Sequence, residues 1–224
     1  LPFFAYQHFR EVIDFYETSA EEIRGLPGVT AVGAVSTSPM GTQLDAFQSV
    51  YVVGEEIPAR GEGLRLRSSK VLPGSFEAMG MELVSGRDLE YRDVVENPGV
   101  AIINEAAAQL FLPDQDPLGR VFNRFATAVG DSAGGPLGWN AKYEFEIVGV
   151  VSDARYQSLS SPAVPAIFRP IQQFPWRRMM MTVKTSEDPA DLMLPIRDAI
   201  WNIDPALALD VTTQQNLLDR SLAQ

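Results

Sequence analysis

Cysteine is absent from this chain of 224 residues, and histidine occurs only once. Without cysteine there is no thiol nucleophile, no disulfide and no thiolate ligand for a metal ion. Zinc and copper centres draw mainly on cysteine and histidine, so the sequence argues against both. The single His8 lies next to Phe9 in the first turn of a predicted terminal helix. A packing or exposed role is therefore favoured over a part in a Ser-His-Asp triad.

Catalytic motifs are also scarce. No Gly-x-x-x-x-Gly-Lys-Ser/Thr stretch occurs, so this chain carries no ATPase P-loop. The glycines between 130 and 138 lack that spacing and predict a Gly-rich loop. Ser36 and Ser38 close a predicted strand and have no nearby base in the sequence. We therefore expect no catalytic, cofactor-binding or metal-binding residues in this chain.

Long apolar runs are missing as well. No run approaches the roughly 20 residues that a membrane-spanning helix needs, and no signal peptide is visible. The chain starts at Leu1 without a methionine, and we expect it to be an excised fragment from which targeting and membrane segments were removed. The net charge is −11. Such an acidic surface disfavours binding to nucleic acid and lying flat on an anionic membrane.

The composition is that of an ordinary globular protein, with 46% hydrophobic and 21% charged residues. Both outer thirds read as strand and helix. The pattern predicts a helix over 4–25 and a strand over 29–36. Near the other end it predicts a strand over 179–185, then a helix that begins at Asp188-Pro189, a strand over 207–211 and a last helix.

The middle third has its own strands and a helix, for which Asn104 is the predicted cap. We therefore predict an α+β protein with a lobe split in sequence, in which residues 1–83 join 176–224. Residues 84–175 form an inserted second lobe of mixed α/β structure.

Acidic side chains are the remaining candidates for chemistry. Four groupings stand out: Asp114 and Asp116, Glu55 and Glu56, Asp88 with Glu90 and Asp93, and Glu144 with Glu146. The first resembles the opening of a calcium loop, but the later ligand positions fail, which favours turn-forming aspartates. The last pair would share one face of a strand, and a solvated strand face in an acidic protein is favoured over an acid–base pair.

A basic and aromatic stretch, Trp176-Arg177-Arg178, precedes the three methionines at 179–181. It could mark a binding patch. We favour the entry into a buried strand with an adaptable, methionine-rich core.

Several segments in a fixed order carry a family resemblance. They are Leu26-Pro-Gly-Val29, Ser36-Thr-Ser-Pro-Met-Gly41, Pro73-Gly-Ser-Phe-Glu-Ala-Met-Gly80, Ser85-Gly-Arg-Asp88, Ile103-Asn-Glu105, Asp116-Pro-Leu-Gly119, Ile147-Val-Gly-Val-Val-Ser-Asp153, Trp201-Asn-Ile-Asp-Pro205 and Leu217-Leu218. Together they resemble the periplasmic core domain of MacB-like and FtsX-like ABC transporter permeases. The resemblance covers nearly the whole chain.

That resemblance implies a porter-like lobe with an inserted, Sabre-like second lobe, placed between two membrane helices of a bacterial inner-membrane permease. It implies no enzymatic residues, because a separate ATPase domain or subunit hydrolyses ATP. The implied role is to relay that conformational change so that a substrate is exported or extracted on the periplasmic side. The implied partners are the membrane helices of its own chain, the ATPase, a second permease copy and a periplasmic adaptor. The terminal helices, over 4–25 and 213–223, are the expected levers.

Two other functions stay open at this point. A periplasmic module could capture a peptide, a lipid or an adaptor protein in a cleft between lobes. A carboxylate-based hydrolase would use Glu144 with Glu146, or Asp88 with Glu90. No motif in the chain orients a nucleophile or metal for such a hydrolase.

Overall fold

A computed structural model describes residues 1–37, 47–59, 62–113, 115–124, 144–154 and 163–222. The helices are α1 (Phe9–Arg24), α2 (Ser75–Ala78), α3 (Glu105–Phe111), α4 (Pro189–Ile203) and α5 (Gln214–Leu222). The strands are β1 (Val29–Val35), β2 (Phe47–Val52), β3 (Leu64–Val71), β4 (Leu83–Gly86), β5 (Val100–Asn104), β6 (Val121–Arg124), β7 (Glu144–Val151), β8 (Ala166–Pro170) and β9 (Met180–Thr185). Within these ranges no helix is long and apolar enough to cross a bilayer.

Six of the strands close into a ring. The hydrogen-bonded order β2-β6-β7-β5-β8-β3 returns to its start, because β3 also pairs with β2. One apolar cluster takes residues from all six strands and includes the stacked rings of Phe122 and Phe145. Helix α3 adds Ala107 and the chain just after it adds Leu112 to the same cluster. The ring therefore encloses a core of side chains, as small barrels do.

A second part of the sheet consists of β1 and β9, which pair antiparallel over six residue pairs. In the sheet, β1 meets the ring where Val35 faces Val71 of β3. A third apolar cluster, with Val35, Met180 and Phe168 among its residues, packs across this junction. Helices α1 and α4 pack on each other, and α1 packs on β1. Their apolar faces, with Val12, Ile23 and Ile200 among them, form a separate core cluster. Burial of such faces is the main force that holds the helices to the sheet.

Close backbone packing explains two of the glycine-containing motifs. A Cβ atom on Gly33 of β1 would lie 2.3 Å from the Cα atom of Ser75, so only glycine lets α2 sit on the strand. The Ser75 hydroxyl then bonds both backbone groups of Ala34, at 3.0 Å and 2.9 Å. Gly86 and Gly149 face each other between β4 and β7. A Cβ atom on Gly86 would lie 2.2 Å from the Val148 carbonyl oxygen, and φ is +77° there.

Cap residues explain where three helices begin. Asn104 accepts the Ala107 N–H, as predicted, and Asp188 accepts the Ala190 N–H at 2.9 Å ahead of Pro189. Helix α1 starts at Phe9 rather than at residue 4. The backbone of His8 is extended there, and its N–H donates to the Glu11 carboxylate at 3.0 Å.

One predicted element is wrong. Residues 207–211 are not a strand, because no ladder of backbone hydrogen bonds forms along them in the described part of the chain. The mixture of helices and strands agrees with the predicted class. The division into lobes at 83/84 and 175/176 stays a prediction, and the ring pairs β2 and β3 with strands of the middle segment.

Candidate functional site

The acidic cluster at 88–93 serves a structural role around Arg87. The guanidinium group of Arg87 binds the Asp93 carboxylate with two bonds, each of 2.9 Å. Asp93 is buried and also accepts the Glu90 N–H at 2.8 Å. Two parallel N–H bonds to a carboxylate are a strong, directional contact. Asp93 is therefore committed to holding the turn after β4 and is not available as a base.

Asp88 belongs to the same cluster and has a raised pKa. Burial raises the pKa of its carboxyl above the ordinary value, although the Leu89 N–H and the nearby Arg87 favour the ionised form. The Leu89 N–H lies 2.6 Å from its Oδ1 atom. Glu90 instead pairs at the surface with Arg92, at 2.7 Å. The two carboxylates of the hydrolase alternative thus contact different neighbours.

The other predicted acidic residues are exposed or form turns. Glu144 and Glu146 are both on the exposed face of β7, as their spacing predicted. Glu144 accepts a bond from Asn123 at 3.3 Å. Glu55 and Glu56 are exposed in a turn. Asp116 accepts the Leu118 N–H at 2.9 Å, the bond of a turn-forming aspartate.

The single histidine and the candidate serine do not meet. His8 is exposed at the start of α1, while the Ser36 hydroxyl accepts the Lys70 N–H at 2.9 Å. Ser38 and Asp114 lie outside the described residues. Among the described residues no three His, Asp or Glu side chains are grouped so that they could hold a metal ion.

One sequence pattern was missed. Gly130-Asp131-Ser132-Ala133-Gly134 spells Gly-x-Ser-x-Gly, which marks a hydrolase nucleophile only at a turn from strand to helix. The stretch lies outside the described residues. The histidine that such a serine needs would have to be His8, which is the one histidine of the chain and is exposed at the start of α1.

Asn104 is the most densely bonded polar side chain that the structure describes. Its Oδ1 atom accepts the N–H groups of Ala107 (3.2 Å) and Ala166 (2.7 Å). Its amide nitrogen donates to Asp153 (2.6 Å) and to the Val164 carbonyl (3.0 Å). Asp153 in turn accepts the Ala106 N–H at 3.0 Å. These bonds join the start of α3 to the end of β7 and to the start of β8. They are made by the segments Ile103-Asn-Glu105 and Val151-Ser-Asp153.

Gln173 likewise joins separate segments through its side chain, and this role was not predicted from the sequence. It is fully buried. Its Oε1 atom accepts the Val100 N–H at 3.0 Å, and its amide nitrogen donates to the carbonyls of Val94 (3.1 Å) and Pro98 (2.8 Å). It fastens the loop before β5 to the turn after β8. A single glutamine in a loop carries no pattern that could predict this.

A group of contacts joins residues near both ends of the chain, and we call it the terminal junction. The Leu1 nitrogen donates to the Arg177 carbonyl at 2.8 Å. The Tyr6 hydroxyl donates to the Asp204 carboxylate at 2.7 Å, just after α4. The Tyr16 hydroxyl donates to the Arg177 carbonyl at 2.7 Å and accepts the Met179 N–H at 3.1 Å. The segment before α1 is therefore fixed to the entry of β9 and to the end of α4.

Arg177 organises the surface of the terminal junction. Its side chain donates to the carbonyls of Tyr6 (3.0 Å) and Gln7 (3.1 Å). The guanidinium also lies over the rings of Phe3 (4.8 Å) and Phe9 (5.1 Å). Trp176 is exposed, with the Lys70 ammonium over its ring. The predicted strand entry follows at Met180, but β9 is half-buried rather than buried.

Both tyrosines of the terminal junction resist ionisation. Burial raises the pKa of Tyr16 to about 12. Burial, followed by the bond to Asp204, raises the pKa of Tyr6 well above its ordinary value. Both hydroxyls therefore stay protonated to a higher pH than an ordinary tyrosine does.

Comparison with known proteins gives one family match. The family model described as MacB-like periplasmic core domain matches residues 5–199. No curated protein matches the chain significantly.

Solved structures with a similar fold include the periplasmic region of MacB from Actinobacillus actinomycetemcomitans. It is 15% identical, with 93% of this chain and 82% of that chain covered and a TM-score of 0.58. The extracellular domain of the ABC-type transporter YknZ from Gram-positive bacteria is 14% identical, with 84% and 81% covered and a TM-score of 0.49. A permease domain from Porphyromonas gingivalis is 15% identical, with 89% and 87% covered and a TM-score of 0.48.

Proposed function

Because the chain belongs to the family of MacB-like periplasmic core domains, we propose that it relays movement between the membrane helices of a permease and a substrate on the outer side. The energy for that movement comes from ATP hydrolysed by a separate ATPase domain or subunit. The proposed result is export or extraction of the substrate. The domain itself performs no chemical step.

Family membership confirms the coarser predictions made from the sequence. The chain is a periplasmic domain of the ABC transporter permease kind and is not an enzyme. Its mixed α/β fold is that of the MacB periplasmic region. The carboxylate-based hydrolase is therefore wrong, in agreement with the structural use of Asp93 and the exposed positions of Glu144 and Glu146.

The terminal junction is the observation that supports the relay. Tyr6 precedes α1 and Asp204 follows α4, and their side chains are bonded at 2.7 Å. The two helices also pack on each other along their apolar faces. A displacement applied before α1 is thus passed directly to α4 and the segment after it. The lever role of 4–25 and 213–223 stays a proposal, and the contacts of the terminal junction support it for α1.

The short strand pairing between β1 and β3 is the place in the sheet where the two parts meet. The Val35–Val71 pair is the register recorded between β1 and β3, whereas every other connection inside the ring spans at least two residue pairs. We propose that the β1–β9 part with its helices and the ring move against each other about this pair. Hinges of this kind use few residues at element ends. The proposed partners remain the chain's own membrane helices, the ATPase, a second permease copy and a periplasmic adaptor.

Distance measurements on the reconstituted permease with its ATPase test the relay. Thr18 is exposed on α1, and a spin label on Thr18→Cys reports its distance to the same label in the second copy. We expect that distance to change between the nucleotide-free and the ATP-bound state. An unchanged distance, with the ATPase demonstrably bound to ATP, would contradict the relay.

A second labelled variant separates the joint from the relay. Thr18→Cys combined with Glu96→Cys places labels on α1 and on an exposed position before β5. If the two parts are jointed, this distance within one domain changes with nucleotide. If it stays constant while the distance between copies changes, the domain moves as one body and the joint is wrong. A matched control, Thr18→Cys with Asn202→Cys, spans the packed pair α1 and α4 and should not change.

A further inference from the structure

Three aromatic rings are exposed at one end of the part formed by β1, β9, α1 and α4. Phe3, Phe4 and Trp176 have 64%, 80% and 49% of their surface exposed. Trp176 directly precedes Arg177, whose guanidinium lies 4.8 Å from the centre of the Phe3 ring, so the rings belong to one surface. Exposed apolar groups with a polar rim often mark an interaction site. We call this surface the aromatic–basic patch and define it by Phe3, Phe4, Lys70, Trp176, Arg177 and Arg178.

Basic side chains surround these rings. The Lys70 ammonium lies 4.9 Å from the centre of the Trp176 ring, and the Arg177 guanidinium lies over Phe3. Arg178 is exposed, and no carboxylate of the described residues lies within ion-pair distance of it. The chain as a whole carries a net charge of −11. A group of basic residues in so acidic a protein is suited to a negatively charged partner.

The charge of Arg177 is held in place without being cancelled. Its side chain donates to the carbonyls of Tyr6 and Gln7, at 3.0 Å and 3.1 Å, and both acceptors are neutral. Its own backbone carbonyl accepts the Tyr16 hydroxyl at 2.7 Å. The guanidinium therefore keeps its positive charge at a fixed position between the segment before α1 and the entry of β9.

The carboxylates at this end have partners of their own. Asp204 accepts the Tyr6 hydroxyl at 2.7 Å, and Glu11 accepts a backbone N–H just before α1 at 3.0 Å. Asp14 pairs with Arg10 at 2.8 Å. The start of α1, a helix of 16 residues, adds partial positive charge to the same end.

Rings and cations side by side are typical of surfaces that meet a bilayer. Tryptophan and phenylalanine rings enter the boundary between the head groups and the acyl chains, while arginine and lysine contact the lipid phosphates. Each basic residue near an anionic membrane adds to the attraction. The net charge of the chain disfavours lying flat on such a membrane, but a patch at one end needs to bring only that end to the lipid.

We propose that the aromatic–basic patch docks on anionic phospholipids at the outer surface of the bilayer that holds the permease. The inference rests on the proposed function only in that the domain belongs to a membrane permease. The rings of Phe4 and Trp176 enter between the head groups, and Arg177 and Arg178 bind the phosphates. The rest of the acidic surface then stays out of contact with the lipid.

Vesicle binding tests the docking. The chain is mixed with vesicles made of equal parts of phosphatidylglycerol and phosphatidylcholine, or of phosphatidylcholine alone, and the bound fraction is measured by sedimentation. We expect binding to the anionic vesicles and much weaker binding to the neutral ones. Binding should also weaken as the salt concentration rises, because salt screens exposed charges.

Two substitutions at exposed positions separate the basic from the aromatic part of the patch. Arg178→Gln should weaken binding to anionic vesicles about fivefold, the share of one basic residue near a membrane. Phe4→Ser should weaken it about tenfold, because one ring no longer leaves water. Arg65→Gln and Phe47→Ser are the matched controls. They alter an exposed pair on β3 and β2, in which the guanidinium lies 4.7 Å from the ring centre, and both should leave binding unchanged.

Quenching of tryptophan fluorescence by brominated lipids locates the contact. Trp176 should come within reach of bromine atoms in the acyl chains, so the fluorescence of the unaltered chain should fall when it binds brominated anionic vesicles. Trp176→Phe should abolish that fall, while Trp201→Phe, which alters an exposed ring on α4, should retain it. Because the unaltered chain supplies the first result, a variant that fails to fold does not decide the outcome.

Several results overturn the docking. They are no binding to anionic vesicles, equal binding to neutral ones, binding that Arg178→Gln and Phe4→Ser leave unchanged, and quenching that survives Trp176→Phe. Self-association of the free chain that Phe4→Ser abolishes would also overturn it, since the patch would then join two copies. A labelled α1 that does not move with ATP refutes the relay and leaves vesicle binding intact, so the two proposals fail separately.

Discussion

Replacement of Asn104 by alanine is the sharpest test of how the start of α3 is held against the ring of strands. The change removes the acceptor of two N–H groups, on Ala107 and Ala166. Both residues are buried, with 0% and 2% of their surface exposed. It also removes the donor to the Val164 carbonyl and the partner of the Asp153 carboxylate. No other side chain within the described hydrogen bonds replaces these contacts.

The expected loss follows from the bonds left unmade. A buried N–H without an acceptor costs about 1–3 kcal/mol, and loss of a helix cap costs about 1 kcal/mol. Because the cap is one of the two N–H bonds, we count it once and expect the free energy of unfolding of Asn104→Ala to fall by about 2–4 kcal/mol. This is a large share of the stability of a typical domain.

Denaturation in urea, followed by circular dichroism, measures this loss. The control is Asn97→Ala, because Asn97 is exposed and donates one bond to the Arg92 carbonyl; its effect should stay within about 0.5 kcal/mol. Asn104→Asp keeps both acceptor bonds but places a carboxylate oxygen beside Asp153, so its loss should grow as pH rises. A loss below about 1 kcal/mol for Asn104→Ala would refute the reasoning, since one unmade buried bond already exceeds it.

Three further predictions concern packing and pH. Gly33→Ala should lose about 1–3 kcal/mol in urea denaturation through overpacking against Ser75, whereas Gly25→Ala, whose nearest atom is 3.4 Å away at negative φ, should be neutral. Asp88→Asn should raise the free energy of unfolding at pH 7, because burial raises the pKa of Asp88 and so disfavours its ionised form. That gain should vanish as pH falls through the raised pKa, because the wild-type carboxyl is then protonated too; equal stabilities at pH 7 would contradict it. Stability should also fall as pH rises from 10 to about 12, because burial raises the pKa of Tyr16 to about 12 and only the unfolded chain ionises freely. Tyr16→Phe should flatten that fall, while a slope that is the same in both proteins would show that Tyr16 is not its source.

Local signals in the sequence predicted local structure well. Asn104 and Asp188 begin helices as their cap chemistry predicted, and Thr213 accepts the Asn216 N–H at 3.2 Å at the start of α5. These signals work because a cap satisfies N–H groups only two or three residues away.

The pairing of strands that are distant in the sequence could not be predicted in this way. Strands β4 and β6 are four residues each and were missed, because they exist through their pairing with β7 rather than through their own pattern. The ring closes where β2 meets β6, some 70 residues later in the chain. The predicted strand at 207–211 shows the opposite error, since its alternation is real but alternation supplies no partner.

The contacts of the terminal junction could not be predicted from the sequence. Tyr6 and Asp204 are 198 residues apart in sequence. Asp204 lies in the segment Trp201-Asn-Ile-Asp-Pro205, but nothing in that segment marks Tyr6 as its partner. Arg177 was noticed as a basic residue, yet its main contacts are made through its carbonyl and through aromatic rings near the start of the chain. Such contacts follow from the packing of α1 on α4, which only the fold determines.

The order in which the ring closes has a consequence for secretion of the domain. Its strands β2 and β3 come early, but they need β6 and then β8 (Ala166–Pro170) before the ring is complete. Strand β1 likewise lacks its main hydrogen-bonded neighbour until β9 has been made. No closed unit of the sheet can therefore form until most of the chain has been made, and contacts this distant in sequence form slowly. We therefore expect the sheet to remain incomplete while the chain crosses the membrane and to be completed only on the outer side.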